Sequence, residues 1–281
     1  MPRAISIHLG LNTVDATAYR GWSGSLRACE NDARAMRAIA DARGFTSRLL
    51  LGADATCSNL IAAMERAAAE LAAGDQLLLT YSGHGASWPD RDGDEPDQRD
   101  EVWCLHDGPL VDDEIHHRLC KFVAGVRVLV VSDSCFSGSV IRNDRTSPTA
   151  APVRRPAALR NGSAVIADRR APAARMRAVW RAYADEYAAR KAAVAATRAE
   201  EPAANIILLA ACEDRQTAYD GEVHGRFTEA LLATWNEGAF AGDYEAFLEA
   251  IRTRVGATQT PTLFTVGAVD PAFRTARPFT L

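Results

Sequence analysis

The chain has 281 residues, of which 48% are hydrophobic and 24% charged, and its formal net charge is −4. This composition is typical of a globular protein with a sizeable core, and the slightly acidic balance argues against nucleic acid or an anionic membrane as the main partner. No apolar run approaches the roughly 18 residues that span a bilayer, and the N-terminus reads as a strand, not as a signal peptide. The six cysteines are scattered, so we expect free thiols and a cytoplasmic location.

Strand-like and helical patterns alternate along most of the chain. Short apolar or β-branched runs predict strands at residues 4–9, 47–51, 76–81, 101–105, 127–132, 205–211 and 261–266. Amphipathic patterns predict helices at residues 26–43, 56–73, 112–123, 226–236 and 244–255. Strands separated by helices of this length indicate an α/β sandwich with a mostly parallel central sheet of about six strands and small additional strands.

Residues 142–203 interrupt this alternation. The segment is rich in Ala, Arg and Pro and carries 13 Arg and Lys against six Asp and Glu. Its middle, residues 175–198, predicts a helix whose aromatic side chains lie on the body of the protein. Two interpretations stay open: a solvated insertion between two core strands, or a regulatory segment. In either case it divides a single domain into a region 1–141 and a smaller region 204–281.

Two chemically reactive residues follow buried strands of the predicted sheet. His84 comes after the strand at 76–81 between two glycines, and Cys135 comes after the strand at 127–132. Either residue alone is compatible with a structural role, since free cysteine is usually a core residue. Their separation of 51 residues, however, matches the spacing of about 50 between the catalytic His and Cys of caspases.

The sequence around both residues resembles metacaspases and their bacterial relatives, the orthocaspases. The runs Tyr-Ser-Gly-His-Gly at 81–85 and Asp-Ser-Cys-Phe-Ser-Gly at 133–138 carry the resemblance, and residues 26–33, 208–218, 225–231 and 259–263 extend it. It implies a caspase-like α/β/α sandwich and a cysteine endopeptidase, generally monomeric, that needs no cofactor for its chemistry. Cys135 would be the nucleophile and His84 its base, with the backbone N–H groups of Gly85 and Cys135 as oxyanion donors.

The resemblance also implies a specificity pocket. Asp32, Ser82 and Asp133 would line the site for the residue on the amino side of the cut. Two carboxylates in a partly dehydrated pocket favour Arg or Lys, and Arg can pair with them bidentately. Asp214, after a late strand, is a further candidate for this pocket. We therefore expect protein or peptide substrates with Arg or Lys at the cleavage site.

An acidic stretch raises the question of calcium. Residues 90–101 contain seven carboxylates, and oxygen ligands at this density suit Ca²⁺. The resemblance implies that Asp100, Asp112 and Asp113 bind an activating calcium ion. This chain departs from the family at Arg142, where an Asp is usual, and Asp144 is the available substitute. A calcium site and a solvated acidic loop therefore both remain open.

The basic segment is a natural substrate, or plug, for an acidic pocket. We expect a latent chain that is cut within 142–203, for example at Arg154-Arg155 or Arg169-Arg170, by itself or by a separate activating protease. Small bacterial relatives are associated with stress, cell-death and defence signalling. Two alternatives stay open: a catalytically silent binding or regulatory module, and a related enzyme with Asn-directed or separase-like specificity, which the pair of Asp residues disfavours.

Overall fold

The computed structural model describes residues 2–89, 99–135, 167–197, 200–213, 216–268 and 270–281. A six-stranded sheet forms its centre, built from β1 (Ala4–Gly10), β2 (Thr46–Leu51), β3 (Gln76–Ser82), β7 (Arg127–Asp133), β8 (Asn205–Ala210) and β9 (Thr262–Gly267). The strands lie in the order β2-β1-β3-β7-β8-β9. The first five in this order are mutually parallel, and β9 runs antiparallel to β8. The predicted, mostly parallel sheet is confirmed.

Helices cover both faces of the sheet. Four helices bury their apolar side chains on one face: α1 (Cys29–Ala42), α5 (Arg226–Trp235), α6 (Tyr244–Val255) and the short α7 (Pro271–Arg274). Three helices bury theirs on the other face: α2 (Cys57–Glu70), α3 (Asp112–Leu119) and α4 (Ala173–Val194). Strand β3 shows why the sequence reads as continuous apolar residues: Leu77 and Leu79 pack into one core and Leu78 into the other. Such strands are buried on both faces.

A second, three-stranded antiparallel sheet lies beyond β3. It consists of β4 (Gly85–Pro89), β5 (Arg99–Leu105) and β6 (Gly108–Val111). The strand predicted at 101–105 belongs to this sheet. Strands β4 and β6 were not predicted because they are short and contain Gly and Pro, which are depleted in strands.

Helix α4 lies within the basic segment and packs on the body of the protein. Met176 and Val179 are buried in the core, and the rings of Trp88 and Tyr187 lie 4.7 Å apart between centroids. The predicted helix with its aromatic side chains on the body is confirmed, so this part of the segment is not a solvated loop. No helix in the described part of the chain is long and apolar enough to cross a membrane.

Candidate active site

Strands β3 and β7 bring His84 and Cys135 to the same edge of the sheet. The two strands are neighbours in parallel register, with Ser82 opposite Asp133, so their carboxyl ends point the same way and the residues that follow them meet. The backbones are so close that a Cβ on Gly85 would lie 1.8 Å from the carbonyl oxygen of Cys135. Only glycine fits there, which explains the Gly after His84.

One hydrogen bond and one ring contact position the imidazole of His84. Its Nε2 lies 3.1 Å from the carbonyl oxygen of Gly24, and the ring of Trp22 packs against it at 4.8 Å. A carbonyl can only accept, so Nε2 carries the hydrogen and Nδ1 is the basic nitrogen of the neutral ring. Among the described residues, buried Nδ1 has no hydrogen-bond partner. A basic atom without a partner is available to take a proton.

The thiol of Cys135 is fully enclosed. Its Sγ accepts a hydrogen bond of 3.2 Å from the backbone N–H of Ala218. Burial raises the pKa of Cys135 to about 12, although the hydrogen bond from Ala218 acts in the opposite direction. Burial likewise lowers the pKa of His84 to about 4. In this arrangement both groups are therefore neutral, because burial disfavours their charged forms.

The side chain of Arg169 fills a pocket beside Cys135. Its guanidinium is completely buried and pairs with three carboxylates: Asp32 at 2.7 Å, Asp133 at 3.0 Å and Asp220 at 3.0 Å. It also donates to the hydroxyl of Ser82 at 2.8 Å and to the carbonyl oxygen of Asp133 at 2.9 Å. An arginine of the chain itself thus occupies the place predicted for the side chain of a substrate.

All three predicted pocket residues meet here, because different elements carry them to one point. Asp32 lies in the first turn of α1, whereas Ser82 and Asp133 end neighbouring strands of the sheet. The start of α5 closes the pocket: Gly225 N–H donates to Asp32 at 3.1 Å, and Thr228 donates to Asp133 through its N–H and its hydroxyl. A helix N-terminus favours carboxylates in this position.

Sequence reasoning missed Asp220 and Gly225. Asp220 lies between the two family-like runs at 208–218 and 225–231, and the carboxylate expected from this region was Asp214, which lies outside the described residues. A Cβ on Gly225 would lie 2.4 Å from Nη2 of Arg169, so this glycine provides room for the guanidinium. Arg169 and Gly225 are 56 positions apart in the sequence, so no local sequence pattern predicts that they are close in space.

The backbone around Arg169 is hydrogen-bonded on both sides. Arg169 N–H donates to the carbonyl of Ala218 at 2.9 Å, and Ala171 N–H donates to the carbonyl of Gly85 at 3.0 Å. In return, Gly85 N–H donates to the carbonyl oxygen of Arg169 at 2.9 Å. The carbonyl of Arg169 therefore rests on one of the two predicted oxyanion donors.

The carboxylates of the pocket differ in their protonation. Burial raises the pKa of Asp32, but Arg169 and the hydrogen bond from His224 outweigh it, so the pKa is below the usual value and Asp32 is ionised. Burial raises the pKa of Asp133 to about 6, although Arg169 opposes this, and repulsion from Asp32 adds to the increase. Asp133 is thus the carboxylate of the pair that takes up a proton first on acidification.

This difference predicts a pH-dependent stability in protein that carries Cys135→Ala. Because the folded pKa of Asp133 is about 6 and its ordinary value 3.8, its stabilising contribution is complete below pH 3.8 and lost as pH rises through 6. From pH 7 to pH 5, the Cys135→Ala protein should therefore gain about 1 kcal/mol in free energy of unfolding relative to Cys135→Ala/Asp133→Asn. Urea denaturation of both at each pH measures this, and a pH-independent difference would contradict the assignment.

The three predicted calcium ligands also come together, but around a cation of the chain. The ammonium of Lys191 lies 2.5 Å from Oδ1 of Asp100 and 3.3 Å from Oδ2 of Asp113. Asp112 lies beside them, with Oδ2 accepting from Glu101 N–H at 3.4 Å. In the described part of the chain no group of three or more His, Cys, Asp or Glu side chains is arranged to hold a metal ion. With Lys191 in place, these residues do not fit calcium. Arg142 and Asp144 lie outside the described residues.

Comparison with known proteins identifies the family. A sequence profile of the caspase domain, peptidase family C14, matches residues 13–272. The chain belongs to the caspase family. Metacaspase-1 of Saccharomyces cerevisiae is 35% identical over 153 residues, which is 49% of this chain and 35% of the yeast protein. Metacaspase-1 of Emericella nidulans is 36% identical over 138 residues, or 44% of this chain and 34% of that protein. The match spans about a third of each metacaspase.

Two solved structures confirm the fold. Protein GSU0716 from Geobacter sulfurreducens superposes with a TM-score of 0.85 at 41% identity and covers 100% of this chain and 99% of that one. Caspase-1 from Spodoptera frugiperda superposes with a TM-score of 0.56 at 12% identity, covering 94% of this chain and 86% of the insect protein. At 12% identity, the similarity to the insect caspase shows only that the fold is shared. It confirms the predicted caspase-like sandwich.

Proposed function

We propose that this caspase-family peptidase cleaves after Arg, and more weakly after Lys, through Cys135 and His84, and that it is made latent and cuts itself after Arg169. One observation carries the proposal: the guanidinium of Arg169 pairs with Asp32, Asp133 and Asp220 while its carbonyl oxygen accepts from Gly85 N–H. A side chain in the specificity pocket and a carbonyl on the oxyanion donor are what a substrate presents at the bond to be cut.

The proposed reaction is acyl transfer through a thioester. His84 takes the thiol proton at Nδ1, and the thiolate of Cys135 attacks the carbonyl carbon of the residue in the pocket. The charge that develops on oxygen is stabilised by Gly85 N–H and the N–H of Cys135. His84 then protonates the leaving amine, which in self-cleavage is the nitrogen of Arg170. Water hydrolyses the thioester and releases the acyl group.

Arginine suits the pocket better than lysine. Nη1 of Arg169 reaches Asp133 and Ser82 while Nη2 reaches Asp32 and Asp220. The single ammonium of lysine cannot occupy both nitrogen positions at once, so it forfeits part of this network. An acidic side chain would be repelled by the three carboxylates, which argues against cleavage after Asp.

Latency follows from the same contacts. The backbone at 167–171 takes up the hydrogen bonds of Gly85 and Ala218 that an external substrate would need, and it buries Cys135 and His84 in their neutral forms. Cutting the bond after Arg169 would free the new carboxyl end to leave the pocket. The other proposed cut, at Arg154-Arg155, lies outside the described residues, and either cut is compatible with a separate activating protease.

The test combines reporter peptides with analysis of the fragments. Wild-type protein and Cys135→Ala are incubated with peptides that carry Arg, Lys or Asp before the reporter, with and without calcium, and the fragments of the chain are sequenced from their N-termini. We expect a new N-terminus at Arg170 and cleavage in the order Arg, Lys, Asp, all absent in Cys135→Ala. Full activity from an uncut chain would overturn latency. No cleavage by intact or nicked protein would favour a silent binding module.

A further inference from the structure

Lys191 holds an unusual position for a lysine. It lies in the last turns of α4, with its side chain only 10% exposed, and its ammonium contacts Asp100 of β5 and Asp113 of α3. Those side chains are 4% and 11% exposed. Placing an ammonium in such surroundings is costly unless carboxylates compensate it, and the carboxylates need a cation equally. The ammonium of Lys191 and the carboxylates of Asp100 and Asp113, called here the acidic cluster, therefore each need the other to remain charged when buried.

A calcium ion and this ammonium would compete for the same oxygens. Calcium binds six to eight oxygens at about 2.3–2.6 Å, and the Lys191 nitrogen already lies 2.5 Å from Oδ1 of Asp100. A divalent ion on that oxygen would face a positive charge at very short range in a poorly screened environment. Only one of the two cations can therefore occupy the cluster.

Neighbouring contacts hold the ammonium in place. Arg190 donates to Glu114 at 2.7 and 3.1 Å and to the carbonyl of Pro109 at 3.1 Å. One turn earlier, Tyr187 packs on Trp88 of β4. The end of α4 is thus attached to α3, β4 and β6 around the cluster, and the same helix begins at Ala173, four residues after Arg169.

We propose that Lys191 is a built-in cation that takes the place of calcium in this acidic cluster. Helix α4 supplies the positive charge that neutralises Asp100 and Asp113, so the intact chain neither binds nor requires calcium there. Replacing Lys191 by a neutral residue would remove the positive charge that keeps calcium away from the carboxylates of Asp100 and Asp113. Cation binding at this cluster does not depend on the proposed cleavage specificity.

Calcium titration of variants tests this in the full chain. All proteins carry Cys135→Ala so that they remain uncut, and they are titrated with calcium chloride by calorimetry and melted with and without calcium. The parent should show no heat of binding and no shift in melting temperature. Lys191→Met should melt lower without calcium, recover with it, and bind calcium at least about tenfold more tightly than the parent. Lys191→Arg keeps a positive charge and should behave like the parent.

The control for the ligands is Lys191→Met/Asp100→Asn. It removes one carboxylate together with the ammonium, so it should fold without calcium and lose the calcium response, and it also serves if Lys191→Met alone does not fold. Equal calcium binding by parent and Lys191→Met would overturn the proposal. So would a Lys191→Met protein that is destabilised but does not respond to calcium, since Lys191 would then be an ordinary ion-pair partner. Because these readouts do not involve peptide cleavage, their failure is distinct from a failure of the proposed function.

Discussion

Replacing Arg169 by Ala should abolish the cut between residues 169 and 170. The alanine side chain leaves Asp32, Asp133 and Asp220 without the guanidinium that pairs with all three. A pocket built to hydrogen-bond a polar group rejects a side chain that lacks it by large factors, so we expect the fragment that begins at residue 170 to form about 10³-fold more slowly or not at all. Mass spectrometry of the purified protein over time measures this rate.

The adjacent arginine provides a matched control. Arg170 has the same side chain, but its guanidinium donates to the carbonyl of Gln216 at 2.8 Å and interacts with the thiol of Cys135, not with the three pocket carboxylates. Arg170→Ala should therefore still be cut after Arg169, giving a fragment whose N-terminal residue is the substituted position 170. Cleavage of Arg169→Ala at the original bond, together with resistance of Arg170→Ala, would show that the wrong arginine has been assigned to the pocket.

The same substitution of Arg169 should weaken the uncut chain. In the Cys135→Ala background, removing the guanidinium leaves three buried carboxylates without it, and loss of one partner of a buried ion pair costs about 3–5 kcal/mol. Entry of water into the emptied pocket reduces this loss. Acidification should reduce it further, since protonated carboxyls no longer need the cation. Chemical denaturation of uncut Cys135→Ala and uncut Cys135→Ala/Arg169→Ala at two pH values measures this loss of stability.

Much of the fold could be predicted from the sequence because it depends on local patterns. Apolar runs such as the one in β3 and amphipathic helices between them specify a parallel sheet with two covered faces. The edge of the sheet then brings His84 and Cys135 together, since both follow neighbouring parallel strands. Glycine on either side of His84 was also informative, because Gly85 has no space for a side chain.

The contacts of the basic segment could not be predicted in the same way. Arg169 and Arg170 are adjacent and chemically identical, yet one is fully buried in the pocket and the other hydrogen-bonds to Gln216. What distinguishes them is how the backbone of this segment is hydrogen-bonded to Gly85 and Ala218, which composition does not determine. Lys191 and Asp100, 91 residues apart, present the same difficulty. The acidic residues could be recognised from the sequence as possible cation ligands. Their pairing with the ammonium of Lys191 could not, because it depends on the fold.

Asp32→Asn should remove most of the preference for arginine in substrates. The two oxygens of Asp32 accept from Arg169 at 2.7 Å, Ser82 at 2.8 Å and Gly225 N–H at 3.1 Å. Asparagine has no negative charge. In either orientation of its amide, the N–H₂ group faces one of these donors and cannot accept a hydrogen bond from it. A loss of about 3–4 kcal/mol corresponds to a decrease of 10²–10³-fold in kcat/KM for an Arg reporter.

A neutral reporter separates specificity from general damage. Citrulline has the shape of arginine without its charge, so kcat/KM for a citrulline peptide should change little in Asp32→Asn, and the Arg-to-citrulline ratio should fall. Before assay each variant is nicked by tagged wild-type enzyme, which is then removed.

Glu30→Gln is the matched control, because Glu30 lies in the same first turn of α1 but pairs with Arg34 at 3.2 Å, away from the pocket. Equal losses on both reporters would mean that Asp32 supports the fold of the pocket without reading the charge of the substrate. A loss confined to the Arg reporter would identify Asp32 as the residue that selects for the charge that Arg169 supplies in the uncut chain.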